Sequence, residues 1–168
     1  MKRLTREEKF MRAALKCAKK GLSEGEVPIG AVVVYEEKVV ARGYNQRARL
    51  QLASAHAEMM AIDKACKKFG SWRLPEGCEL YVTLEPCPMC MGACLNARVD
   101  KIYFGAYEQK GRSLTAALAE ANLLNHKTDV EGGVLEAECS AVLTDFFVSM
   151  RKKQKEEKER RKAEESAE

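Results

Sequence analysis

His56, Cys87 and Cys90 bring one imidazole and two thiols, the thiols three residues apart, and Glu58 lies two residues beyond the histidine. Two thiolates and a neutral imidazole are soft ligands that suit zinc, and three protein ligands leave a fourth position for water. Structural zinc is closed by four protein ligands, so this set reads as a catalytic centre. Glu58 is not needed as a ligand and is placed to act as the acid/base that handles protons around a zinc-activated water. Cys94, one turn beyond Cys90, is expected to be a small buried residue, because a fourth thiolate would close the open position.

These groups need elements to hold them, and the pattern around them supplies candidates. Thr5 and Glu8 read as a capping box before Phe10, Met11, Ala14, Leu15 and Ala18, an amphipathic helix that Gly21 closes. The β-branched runs from Ile29 to Tyr35 and from Val39 to Tyr44, around Glu36-Glu37-Lys38, predict an antiparallel hairpin. Ser54 is expected to cap a helix running to Phe69 and stopped by Gly70, with His56 and Glu58 in its first turn. Glu79 to Leu84 reads as a strand, with Cys87 as cap and Pro88 as first residue of the helix that follows.

A strand from Lys101 to Ala106, a weaker helix from Thr115 to Leu124, an extended piece from Lys127 to Val130 and a long helix from near Leu135 complete the pattern. Strands alternating with helices imply an α/β domain with helices on both faces of one sheet. Both ligand groups then sit at helix N-termini, where unpaired amides and the positive end of the dipole favour thiolates. Phe69 and Trp72 are expected in the core, Cys17, Cys66, Cys78 and Cys139 as core or surface thiols, and His126 in a structural role.

The chain has 168 residues, enough for one core, and a net charge of +4, too small to argue alone for a nucleic-acid partner. No stretch approaches the roughly 18 to 20 apolar residues of a membrane span. Met1 to Arg12 is charged, so a soluble, cytoplasmic protein with no membrane partner is expected. Seven cysteines, two of them in a Cys-x-x-Cys pair, then favour metal binding over a disulfide framework. Residues 1–150 are read as one catalytic domain and 151–168, nearly all Lys, Arg, Glu, Ala and Gln, as a charged C-terminal helix or tail.

His-x-Glu followed by Pro-Cys-x-x-Cys is the pattern of zinc-dependent base deaminases. Further matches are Glu26 to Val32, Gly43-Tyr44-Asn45, Leu80 to Cys90, Phe104-Gly105-Ala106, Asn125-His126, Gly133-Val134-Leu135 and Asp145-Phe146-Phe147. Over nearly its whole length the chain resembles the bacterial tRNA-specific adenosine deaminases, a family of the cytidine deaminase-like superfamily. The last three matches separate that family from the wider superfamily.

The resemblance implies a three-layer α/β/α cytidine deaminase-like fold with a five-stranded mixed sheet, a homodimer and one zinc ion per subunit. It implies hydrolytic conversion of the wobble adenosine of a tRNA anticodon to inosine, in tRNA-Arg with an ACG anticodon, the base being flipped into the zinc pocket. It makes His56, Cys87 and Cys90 the ligands, Glu58 the proton shuttle and Asn45 a hydrogen-bonding group to the base, with Pro28, Ile29 and Leu84 lining the pocket. The chain departs from the family's usual sequence at Leu52-Ala53-Ser54, at Tyr107 to Arg112 and at Val148.

Arg47, Arg49, Lys110 and Arg112 fall in loops expected around the pocket mouth, where they would hold phosphates without reading sequence. Phe147 is a candidate to stack on an unpaired base. Two other readings share the ligand pattern. A small-molecule deaminase acting on guanine, cytidine or deoxycytidylate has no evident use for Phe146-Phe147 and the basic helix, and a noncatalytic zinc subunit has no need of Glu58.

Overall fold

Alternation along the strands sends side chains to two faces. In β1 (Gly30–Tyr35) Ala31 and Val33 pack on one side and Val32 and Val34 on the other; Leu80 and Val82 oppose Tyr81 in β3 (Glu79–Leu84), and Ile102 and Phe104 oppose Tyr103 in β4 (Lys101–Ala106). Strands buried on both faces need helices on both. In the computed structural model, which describes residues 3–108 and 113–165, α3 (Ala57–Phe69) and α4 (Pro88–Ala97) cover the first face. The second is covered by α1 (Arg6–Ser23) and the first turns of α6 (Glu136–Glu165).

With β2 (Lys38–Tyr44) and β5 (Asp129–Glu131) the sheet has five strands in the order β2-β1-β3-β4-β5. β1 runs antiparallel to β2 and β3, while β3, β4 and β5 are parallel. This is the expected three-layer fold with a mixed sheet. Register puts Tyr44 opposite Gly30 and Leu84 opposite Ala106, so the C-terminal ends of β2, β3 and β4 lie at one end of the sheet. Ligands of α/β sheets gather beyond such strand ends.

Two glycines let helices lie close on the sheet. A Cβ on Gly43 would stand 2.3 Å from the Ala57 carbonyl oxygen, so this position in β2 fixes where α3 begins. One on Gly21 would stand 3.2 Å from the Tyr44 ring. That contact explains why Gly21 does not close α1 as expected: the helix runs on to Ser23, and Gly25, at φ +80°, makes the left-handed turn after the Glu24 cap.

Other boundaries also differ from expectation. His56, not Ser54, is the cap of α3. The weaker helix is shorter, α5 (Thr115–Glu120), and is followed by a 3-10 turn at Leu123–Asn125. A short helix, α2 (Arg47–Leu50), stands where no helix was expected. Phe69 meets Tyr35 edge-on, but Trp72 is 58% exposed and stacks under Arg73 rather than entering the core, because the short surface loop after α3 carries it outward. Cys94 is fully buried, and His126 Nε2 donates to the Val99 carbonyl, 2.8 Å away, in a structural role.

Candidate active site

His56 is the N-cap of α3 and Cys87 the N-cap of α4, both with extended backbone and neither with a side-chain capping bond. A polar N-cap side chain ordinarily accepts from an amide of its own first turn. Here both are left free to converge, and Pro88 at the first helical position carries Cys90 to the third. His56 Nδ1 lies 3.7 Å from Cys87 Sγ and 3.6 Å from Cys90 Sγ.

Tetrahedral zinc, with bonds of about 2.0–2.1 Å to nitrogen and about 2.3 Å to sulfur, sets an N···S edge of about 3.6 Å. The group therefore fits zinc in the spacing of its atoms as well as in donor type, and among the described residues it has these three members alone. Hydrogen bonding from Cys90, and then from His56, holds the Cys87 thiol down to about 3, in the thiolate form that ligation requires. The same contact, and then burial, push the Cys90 thiol up.

Glu58 is the second residue of α3 and is only 4% exposed. Burial lifts its carboxyl to about 7, against the pull of its own backbone amide and the His56 charge. A carboxyl poised there holds and releases a proton near neutrality, beside the ligands.

Asn45 follows the end of β2 and is buried. Its Nδ2 donates to Glu26 Oε2 at 3.4 Å, and because a carboxylate only accepts, this contact sets which way the amide faces. Its Oδ1 is buried without a partner among the described residues. Glu26 itself, 3% exposed, also accepts from the Ala48 amide at 3.3 Å and the Arg49 amide at 2.6 Å. A residue outside α2 thus caps its first turn, the role Gln46 leaves unfilled. Glu85 does similar work on the far wall. It accepts from the Glu108 amide at 2.9 Å and from the Ser113 hydroxyl, while Thr115 Oγ1 donates to the Pro86 carbonyl at 3.1 Å. These bonds pin the segment that delivers Cys87.

A cavity of about 440 Å³ opens over these groups, lined by Val27, Ile29, Asn45, Arg47, His56, Glu58, Leu84, Cys87, Leu114 and Phe147 among others. An adjoining cavity of about 650 Å³ shares Val27, Ile29, Leu84, Glu108 and Phe147 and continues to Tyr107, Thr144 and Arg151. Ile29, Leu84, Asn45, Arg47 and Phe147 therefore all line the first of these cavities. Pro28 is buried between Val27 and Ile29 but is not part of the cavity wall. Arg49 is engaged by Glu24, at 3.7 Å, and by Gln46, and does not line the cavity. Lys110 and Arg112 lie outside the described residues. Glu26 and Glu85 stood in segments matched to the family and Arg151 in the charged C-terminal segment, but the sequence reading gave none of them a role. A further signal for Glu26 was an acidic residue opening the otherwise apolar Val27 to Val34 run.

The chain is similar to known proteins in sequence and in fold. Residues 4–106 match the cytidine and deoxycytidylate deaminase zinc-binding region. The chain is 49% identical over 154 residues to the tRNA-specific adenosine deaminase of Bacillus subtilis (strain 168), covering 90% of this chain and 95% of that protein. A solved structure from work on A-to-I editing by tRNA:A34 deaminases at the wobble position superposes with a TM-score of 0.73 at 40% identity, covering 80% of this chain and 99% of that one. The guanine deaminase of Bacillus subtilis is more distant, with a TM-score of 0.57 at 37% identity over 67% of this chain and 69% of its own. With its zinc-ligand geometry and a relative matched nearly end to end, the chain belongs to the zinc-binding cytidine and deoxycytidylate deaminase family, in the branch of the tRNA-specific adenosine deaminases.

Proposed function

We propose that the protein hydrolyses the wobble adenosine of a tRNA anticodon to inosine, with tRNA-Arg bearing an ACG anticodon as substrate, in the cytoplasm and as a homodimer. The observation that carries this reading is the match to a tRNA-specific adenosine deaminase over 90% of the chain, a span long enough to take in the metal ligands and the first turns of α6. The shape of the site agrees with it. The cavity over the ligands runs into a second, larger one, a trough with room for the neighbours of a flipped nucleotide.

His56, Cys87 and Cys90 would hold zinc, which when bound supplies an electrophilic centre that activates water near neutral pH. Asn45 Oδ1, with its Nδ2 tied to Glu26, is left to accept a hydrogen bond from the nucleoside and so fixes the base over the ligands. Glu58 takes one proton of the attacking water and gives it to the ring nitrogen, then takes the proton of the new C6 hydroxyl and delivers it to the departing amine, so that the C–N bond breaks and water and adenosine become inosine and ammonia. Ile29 and Leu84 flank the base as apolar walls, and Arg47 at the rim holds a phosphate.

The test is incubation of the zinc-loaded protein with an anticodon stem-loop of tRNA-Arg, alongside free adenosine, cytidine and guanine. Inosine at the wobble position, with the free compounds untouched, is the expected result. Deamination of free guanine with intact RNA would assign the site to a small-molecule substrate.

A further inference from the structure

Helix α6 leaves the domain. Its first turns pack on β3 and β4, but every residue from Phe147 to Glu165 is exposed. A segment with no packing face is free of core demands, so a pattern on its surface reports something other than folding. Five residues of α6 line the second cavity, Ser140, Leu143, Thr144, Phe147 and Arg151, and all but Leu143 follow one another at a spacing of four, three and four. The same spacing of three and four continues through Lys155, Lys158 and Lys162. At 3.6 residues per turn all seven positions fall within an arc of about 80°. Glu156, Glu157 and Glu159 lie outside that arc, so from Arg151 to Lys162 one face carries cations alone, over a length of about 16 Å.

We propose that Arg151, Lys155, Lys158 and Lys162 form a track for the phosphate backbone of the RNA substrate outside the loop whose base enters the cavity. The inference rests on the RNA-directed function proposed above. Lysine and arginine at such spacing neutralise successive phosphates and position a strand without reading its sequence. The ion pair of Lys155 with Glu159, 3.9 Å apart with both side chains well exposed, is too weak to withhold the ammonium from a phosphate.

The test compares K155Q/K158Q/K162Q with K152Q/K153Q/R160Q, which removes the same charge from the other sides of the helix. Binding of the zinc-loaded proteins is followed by fluorescence anisotropy across a salt series, on whole tRNA and on a minimal anticodon stem-loop. Both RNAs already carry inosine, so nothing turns over. On whole tRNA the first variant should bind about five- to tenfold more weakly, with the slope of log affinity against log salt reduced by about 2 to 3. The second variant should stay within twofold of the wild type, as should both variants on the stem-loop. Equal losses in the two variants, equal losses on the two RNAs, or no loss would overturn the track. Deamination of an adenosine stem-loop by the wild type is measured alongside. A protein inert on RNA defeats the reading of the site itself, whereas full conversion with an unchanged salt slope defeats only the track.

Discussion

Glu26→Gln tests whether the Asn45 wall of the site is built as described. Three N–H groups converge on the Glu26 carboxylate: Asn45 Nδ2 and the Ala48 amide on Oε2, and the Arg49 amide on Oε1. Glutamine has nearly the same shape but only one oxygen, and an NH2 group in place of the other. However the new amide turns, at least one donor loses its acceptor and faces another donor. At a residue 3% exposed this should cost about 1–3 kcal/mol. For a protein of this size that corresponds to a melting point lower by about 2–12 °C. The freed Asn45 amide is no longer held with Oδ1 toward the base, so kcat/KM on the anticodon stem-loop should fall by about tenfold to a hundredfold. Thermal unfolding and initial rates on the same preparation measure both. A variant within about 0.5 kcal/mol and twofold of wild type would refute the account of Glu26.

Three further outcomes are expected. Gly43→Ala drives a methyl into the Ala57 carbonyl and should cost about 2–3 kcal/mol in urea unfolding and most of the activity, since Ala57 lies between His56 and Glu58; a variant with wild-type stability would show that α3 can shift. Chelating the metal should lower the melting point, and zinc should restore it: at a free concentration about a hundred times Kd the ion adds about 2.7 kcal/mol, because its ligands join the starts of α3 and α4. Burial, and then the Asp100 charge, raises the Cys78 thiol from 9.0 to about 11. The fold favours the neutral thiol, so this stability is complete below pH 9 and is lost as pH rises through about 11. The advantage of wild type over Cys78→Ala in urea should therefore shrink between pH 8 and pH 11, and a constant gap would count against it.

The sequence showed the chemistry more plainly than its supports. Ligand types and spacing made His56, Cys87 and Cys90 readable, since zinc constrains both, and alternation made the buried strands readable. The helix boundaries that failed did so where tertiary contact overrode a local signal. Gly21 looks like a stop but serves the Tyr44 ring, and Ser54 looks like a cap but the chain turns two residues later at His56. α2 was invisible because its cap, Glu26, comes from before β1. Trp72 was misplaced because aromatic area predicts burial only where an element covers it, and the loop after α3 has none. Asn45 was recognised by resemblance alone; the orphaned Oδ1 that gives it a physical role is a fact of three dimensions.

The central claim is that this metal site, with Glu58 as its proton carrier, converts adenosine within a tRNA anticodon. The most direct test follows inosine formation at the wobble position of tRNA-Arg by mass spectrometry, for wild type and Glu58→Ala, with zinc content determined on the same samples. Wild type should convert the RNA, and the variant should be inactive while retaining one zinc per subunit, because His56, Cys87 and Cys90 are intact. Conversion by Glu58→Ala, or wild-type protein that holds zinc and leaves the RNA unchanged, would contradict it.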